Sequence, residues 1–435
     1  MAFGPGWIAP FVGLLLSLAI LPVARPVFWH RHYGKVSAFW ALAFALPFGA
    51  CYGVRPALDA VLHTLLRDYL PFAILLGALF TVAGGIRLTG TIRGTPGVNT
   101  LMLLIGTAAA SVMGTTGAAM LVVRPLIRAN RLRRHSTHVF VFFIFLVANI
   151  GGALTPLGDP PLLIGFLQGV PFFWPTRHLF LPMTVSVVLL LAVFYALDRH
   201  FHRRGWTEDP DPLAEIERLG VDGKVNLPLL ALIPLIVLLS GEARSRALPE
   251  WLIEIAPNLA LVVIAALSLR LTRPGVRRAN AFGWGPIVEV ALVFAAIFVT
   301  VIPALAILRA GQAGALAPLA ALVSRPGPGV ATIYFWLTGG LSSLLDNAPT
   351  YLVFYNLAGG DPAALTGADA GVLTAISAGA VFMGANTYIG NAPNFMVRSI
   401  CEERGIRMPS FFGYTGWACV VLLPLYGLLN LLFFR

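Results

Sequence analysis

The chain has 435 residues, 58% hydrophobic and 11% charged, with a mean hydropathy of +0.82 and a formal net charge of +11. A soluble globular protein carries about 25% charged residues, so composition excludes an ordinary water-soluble enzyme, a disordered chain and a secreted disulfide scaffold. The apolar runs are long and continuous rather than alternating, which selects an all-α polytopic membrane protein over a transmembrane barrel. The basic excess then reads as loops on the cytoplasmic face and not as a nucleic-acid surface, so the expected partner is the lipid bilayer. Cys51, Cys401 and Cys419 are scattered, with no metal-ligand spacing.

In chain order, spans are expected at 7–24, 36–53, 70–90, 136–168, 177–198, 225–241, 256–270, 284–308, 371–400 and 411–432. The first run has its positive charges after it, so it reads as a retained span and not a cleaved signal. Two further apolar stretches, 98–123 and 329–358, are interrupted by Met-Gly-Thr-Thr-Gly (113–117) and Asp-Asn-Ala-Pro-Thr (346–350). The polar stretch 199–224 reads as a solvated cytoplasmic linker.

Positive charges set the sidedness. Arg25, Arg31 and Lys35 put the first loop inside and the N-terminus outside. Arg87 and Arg93 on one flank of 98–123, and Arg124, Arg128, Arg131, Arg133 and Arg134 on the other, all belong inside. A simple span cannot satisfy both flanks; a re-entrant hairpin can. Arg199, Arg203 and Arg204, then Arg270 to Arg278, then Arg398, Arg404 and Arg407 continue the pattern. By that accounting 329–358 starts and ends outside, between Ser324 and Gly360, and the C-terminus is also outside.

An internal repeat agrees with this picture. Thr-Pro-Leu-Gly-Asp-Pro-Pro (155–161) aligns with Thr-Tyr-Ile-Gly-Asn-Ala-Pro (387–393) at an offset of 232, and the same offset carries the first hairpin break onto the second. The expected fold is two inverted five-span repeats, 1–198 and 225–435. Each has a re-entrant hairpin (98–123, 329–358) and a broken helix (136–168, 371–400).

Non-helical backbone at membrane depth survives only where protein or a wet cavity satisfies it, so the breaks are the candidate site. They offer hydroxyls on Thr115, Thr116, Thr155, Thr350 and Thr387, and amides on Asn347, Asn386, Asn391 and Asn394. Gly114, Gly117, Gly158 and Gly390 let backbone carbonyls turn inward. Asp159 and Asp346 supply the carboxylates and are the Na+ candidates, because hard cations take oxygen ligands. The competing reading is helix capping: Asp159, Asp346, Asn347 and Asn391 all stand just before prolines at helix restarts. A buried charge is an expensive cap where neutral Asn would serve, so the aspartates point to a bound cation or proton.

Other features carry weaker functional readings. Glu289, one turn inside the eighth span, is a proton relay or an interfacial side chain. His135 and His138 read as interfacial, the arginines at 124–134 as a topology anchor, and Gly84, Gly85 and Gly90 as close helix contacts. No phosphate loop, zinc-protease or nucleophile-elbow motif occurs, so no enzyme and no cofactor is expected.

The runs Asn149-Ile-Gly-Gly-Ala-Leu-Thr-Pro-Leu-Gly-Asp-Pro-Pro and Ser342-Ser-Leu-Leu-Asp-Asn-Ala-Pro-Thr resemble the ion-transporter superfamily of NhaD-type sodium/proton antiporters, arsenite exporters and citrate or dicarboxylate carriers. Glu289 with its following apolar run, and Gly384-Ala-Asn-Thr-Tyr-Ile-Gly-Asn, are similar too, so the likeness covers about residues 70 to 425. The resemblance implies cation-coupled transport in the bacterial cytoplasmic (inner) membrane, often by a homodimer with a mobile transport domain. The Ser-Asn-Thr hairpin tips of the dicarboxylate carriers are absent here. Na+/H+ antiport by alternating access, with Na+ and H+ as coupling ions, is therefore the expected function, and cation-coupled citrate or carboxylate transport the alternative. Both aspartates are then needed, with Asp346→Asn expected to be the more damaging change.

Overall fold

The computed structural model describes residues 3–203, 218–245, 249–309 and 329–435. Residues 204–217, the centre of the linker with Arg204, and 310–328, which include Ser324, lie outside the described residues. Among the described residues eight helices are long and apolar enough to cross a bilayer, or nine if a pair bent by 44° at Val301 counts as one span. The chain is a multi-pass, mainly helical membrane protein.

Helix α1 (Ala9–Ala24) packs on α2 (Pro26–Tyr52), which starts ten residues before its apolar segment because its basic first turns remain helical. Helix α3 (Val54–His63) passes through a π turn at Thr64–Tyr69 into α4 (Leu70–Ala83). The third span therefore begins and ends earlier than 70–90. Its expected last residues instead form strand β1 (Arg87–Thr89), which pairs antiparallel with β2 (Gly220–Asp222), Leu88 opposite Val221. The polar stretch 199–224 thus contributes β2, and α9 (Trp174–His202) also runs into it.

Helix α4 stops where side chains take over its carbonyls. Arg277 donates to Thr81 O at 3.0 Å, Asn226 to Gly85 O at 2.9 Å, and Asn280 to Gly84 O at 3.0 Å and Ile86 O at 2.6 Å. A Cβ on Gly84 would run into Phe282 and one on Gly85 into Asn226, so both glycines are close contacts. These partners come from α10 (Asn226–Ser245), α12 (Pro274–Ala279) and the residue after it, and α11 (Glu250–Leu271) packs beside them.

Helices α5 (Pro96–Met113) and α6 (Thr115–Asn130) pack together across the single residue Gly114, at φ 81°. Their far ends are tied by reciprocal amide bonds between Asn99 and Asn130, each 2.9 Å, so the chain turns fully back. After α13 (Gly285–Thr300) and α14 (Ile302–Arg309), helices α15 (Val330–Leu344) and α16 (Asn347–Leu357) form a second such pair.

Each pair is followed by a broken helix. In the first, α7 (Thr137–Leu146) runs through a turn at 147–149 into a 3-10 turn (Ile150–Leu154), and a segment with Thr155 and Asp159 extended leads on to α8 (Pro160–Leu167). In the second, after the short α17 (Pro362–Thr366), α18 (Ala370–Met383), a 3-10 turn (Gly384–Asn386) and α19 (Ala392–Glu403) repeat the arrangement. Helix α20 (Phe411–Phe433) ends the chain. Helix α7 is apolar on every side, and Val139 to Leu146 are wholly buried, so it is an axis of the protein core with no lipid face.

The basic cluster and its histidines divide differently from expectation. Arg131, Arg134 and His135 are exposed, but Arg133 and His138 are buried. Both bond Asp198 at the end of α9, Arg133 at 2.6 Å and His138 Nε2 at 2.7 Å, and Asn99 donates to the same carboxylate at 3.0 Å. His138 is thus a core residue and not an interfacial one, because a buried carboxylate consumes its N–H.

A buried carboxylate where four helix breaks meet

The two broken helices have matching local structure. Thr155 and Thr387 are extended at φ −140° and −139°, and Asp159 and Asn391, which open the next helices, at φ −149° and −155°. The side chain of Thr155 donates to Ser111 O, and that of Thr387 to Ser343 O at 2.6 Å. Ser111 in turn donates to Gly151 O, and Ser343 to Met383 O at 3.1 Å. All these residues correspond at the offset of 232. Gly158 and Gly390 pack so closely on Gly152 and Gly384 that a Cβ on either would strike a backbone carbonyl.

The four helices that restart after breaks begin at Thr115, Pro160, Asn347 and Ala392. Their first residues or caps converge on Asp159. Thr115 Oγ1 donates to Asp159 Oδ1 at 2.9 Å, Asn391 Nδ2 to the same oxygen at 3.1 Å, and Asn347 Nδ2 to Oδ2. Thr115 N also donates to Gly158 O at 2.8 Å, fastening hairpin tip to break. Although Asp159 stands at the N-cap of α8, its side chain makes no capping bond; it is spent on the three other breaks. Because a carboxylate only accepts, it fixes the Asn347 amide with its NH2 inward. Asn347 Oδ1 is then left buried without a hydrogen-bond partner among the described residues, as is Asn386 Oδ1.

Asp346 behaves otherwise. Half-buried, it caps α16 by accepting from Ala348 N at 3.1 Å, and it lies near enough for its charge to act on Asp159. Thr350 bonds back to Asp346 O within its own turn, and Thr116 is half-buried in the first turn of α6. Asn386 donates to Ser343 Oγ at 2.8 Å, and Gly390 N to Thr387 Oγ1 at 3.2 Å. Glu289 is paired with the indole of Trp29 in α2, at 2.7 Å, and makes no hydrogen bond to a break residue.

Three site residues were not singled out from sequence. Asn149 donates to Asn394 Oδ1 at 2.7 Å and so bridges the two broken helices; Ser111 and Ser343 anchor the two threonines. The serines share the offset of 232, which is the signal that would have found them. Asn149 has no such counterpart, since residue 381 is valine.

Chemically, the arrangement is one buried carboxyl group surrounded by neutral donors. Four helix N-termini, each with a partial positive charge, meet it, and among the described residues no Lys or Arg bonds either aspartate. Such a centre can accept a proton or a small hard cation at the carboxylate.

A family model described as "Putative citrate transport" matches residues 3–434. A protein from Arabidopsis thaliana named sodium/proton antiporter 2 is 33% identical over 103 residues, spanning 22% of this chain and 24% of that protein. Two mycobacterial proteins, uncharacterized transporter Mb2703 of Mycobacterium bovis and uncharacterized transporter Rv2684 of Mycobacterium tuberculosis, are each 27% identical over 373 residues. That match covers 80% of this chain and 81% of each relative.

Proposed function

The chain belongs to the citrate transport family, and on that premise we propose that it is a secondary active transporter exchanging Na+ for H+ by alternating access. The observation that carries this reading is Asp159, a carboxylate at the meeting point of four helix N-termini, bonded by three neutral donors and, among the described residues, by no basic side chain. A resident anion at that focus takes the place of an anionic cargo and is neutralised by a proton or by Na+. The two compete for the same oxygens, which is the requirement for exchange. Oxygen ligands for Na+ come from Asp159, Asp346, the hydroxyls and amides at the breaks, and the backbone at Gly158 and Gly390. The unpartnered Asn347 and Asn386 oxygens supply two of them.

In this reading the breaks are related by inverted repeats, with ten spans and two hairpins opening to opposite faces of the bacterial inner membrane, both termini outside. The recurrence of the Thr–Ser–backbone bonds at one offset supports the repeat. A homodimer is the assembly that the family resemblance favours. Glu289, bonded to Trp29, is not needed for the exchange itself.

A second reading has a specific support. The same four N-termini suit a carboxylate cargo, and the family description names citrate. Asp159 would then have to be neutralised by a co-transported cation before citrate binds. Proteoliposomes decide between them, with Na+-evoked proton movement and labelled citrate uptake measured on one preparation. Citrate accumulation without Na+-evoked proton movement would overturn the exchange reading.

A further inference from the structure

The two half-helices that lead away from Asp159 differ in one respect. On α19, Asn394, Arg398 and Glu402 follow one another at spacings of four and share a face. They run from a fully buried amide through Arg398, its side chain 26% exposed, to Glu402 at 45%. The residues at the matching places 232 earlier, Leu162, Phe166 and Val170, are apolar and buried. This face is therefore apolar along one half-helix and polar along the other.

Arg398 is held on this polar face by two groups. Its Nε donates to Glu402 Oε1 at 2.9 Å, and its guanidinium lies 4.7 Å over the ring of Tyr388. Tyr388 belongs to the break between Thr387 and Gly390, and its hydroxyl donates to Pro409 O at 3.1 Å. An open cavity of about 420 Å3, lined by Glu402, Gly405, Ile406, Arg407 and Met408, adjoins the same place. Helix stability does not explain the pair. Arg before Glu is the weaker order at this spacing, and an exposed pair stabilises little. Arg398 stands seven residues past Asn391, roughly 10 Å along the helix at 1.5 Å per residue. Arg404 and Arg407 follow in the chain, with Glu403 the other acid, so Glu402 is one of two local counterweights.

We propose that Arg398 and Glu402 form a charge filter on the cytoplasmic path to Asp159. Glu402 draws the cation to the mouth, and Arg398, clamped against Tyr388, opposes its passage to the break. The inference rests on the cation-exchange reading and on the sidedness given by the basic loops, and it assigns specificity to residues outside the break cluster. A unit charge about 10 Å from a bound cation in a polar vestibule changes occupancy by a factor of about three.

The test uses the full chain in everted membrane vesicles, which present the cytoplasmic face, and in right-side-out vesicles. At the cytoplasmic face Arg398→Gln is expected to lower half-saturating Na+ about threefold and Glu402→Gln, about 6 Å farther along the helix, to raise it by less, about twofold. The double variant should return near the parent value, and Arg398→Lys, which keeps the charge, should rescue it. Values at the outer face should stay unchanged. Single variants that move together, that change only the maximal rate, or that shift both faces equally overturn the filter. If the vesicles instead accumulate citrate while Na+ moves no protons, the exchange reading fails. The filter then stands only if half-saturating citrate moves in the opposite sense, raised by Arg398→Gln and lowered by Glu402→Gln.

Discussion

Asp159 makes three bonds to three different breaks, whereas Asp346 makes one bond to its own helix. On these bonds the larger effect is expected at Asp159, the opposite order to the one expected from sequence. Asp159→Asn should abolish Na+-evoked proton movement in proteoliposomes, because it removes the carboxylate on which the three other breaks converge. Asp346→Asn keeps a competent cap, so it should slow exchange through the lost nearby charge and leave thermal stability close to the parent. Asp346→Ala loses the cap as well and should cost about 1 kcal/mol in unfolding measurements. Equal loss of transport in Asp159→Asn and Asp346→Asn would return the two carboxylates to equal roles. Gly158 is a separate test of the same site. A Cβ there meets the Gly152 carbonyl, backbone that cannot rotate aside, so Gly158→Ala should destabilise by about 1–3 kcal/mol. Thr115, Asp159, Asn347 and Asn391 were legible in the sequence because each sits within two residues of Gly or Pro in an otherwise apolar run, a purely local signal. That all four meet at one carboxylate was not, since the contacts span 44 to 232 residues.

At the scale of elements, a half-helix can end at membrane depth only if its polar ends are met by protein, and the first hairpin shows how its base is secured. Asn99 on one leg and Asn130 on the other bond each other, and Asn99, Arg133 and His138 all reach Asp198 on α9. Four segments are joined through one buried ion pair. None of this was readable beforehand: Arg133 and His138 sit in a run of basic residues that looks like a solvated loop, and Asp198 lies 65 and 60 residues away from them. Removing one partner leaves the other charge buried, so Asp198→Asn should lower stability by about 3–5 kcal/mol. Removing both charges, Arg133→Met with Asp198→Leu, should recover only part of that loss, because the buried His138 and Asn99 lose their acceptor as well. The pair Arg67–Glu254, with side chains 49% and 40% exposed, is the control, and breaking it should cost less than about 1 kcal/mol. Thermal unfolding in detergent reads all three. A full-sized loss from Arg67→Gln, or none from Asp198→Asn, would show that burial is not what sets the energy here.

For the whole molecule, alternating access needs one centre reached in turn from two faces, and the fold supplies a central carboxylate with two hairpins and two half-helices around it. If a proton and Na+ compete at Asp159, half-saturating Na+ should rise as pH falls at either face, with the maximal rate little changed. Inhibition that lowers the maximal rate alone would place the proton elsewhere. Sidedness can be checked independently of transport. The Asn99–Asn130 bonds bring the two ends of the first helix pair together, so its flanks must lie on one side of any bilayer that the pair enters. Single cysteines at Arg93 and Arg131, both exposed, are expected to react with an impermeant thiol reagent only from the cytoplasmic face. Cysteines at Ser324 and at the exposed Ala363, which flank the second pair, should react only from outside. The parent's exposed Cys51 and Cys419 are first replaced by serine so that they do not report. If the flanks of one pair label from opposite faces, that pair is a simple span and the inverted arrangement is lost. If both pairs label from the same face, the hairpins stand but their opposition does not, and Asp159 would have no symmetric route to the second side.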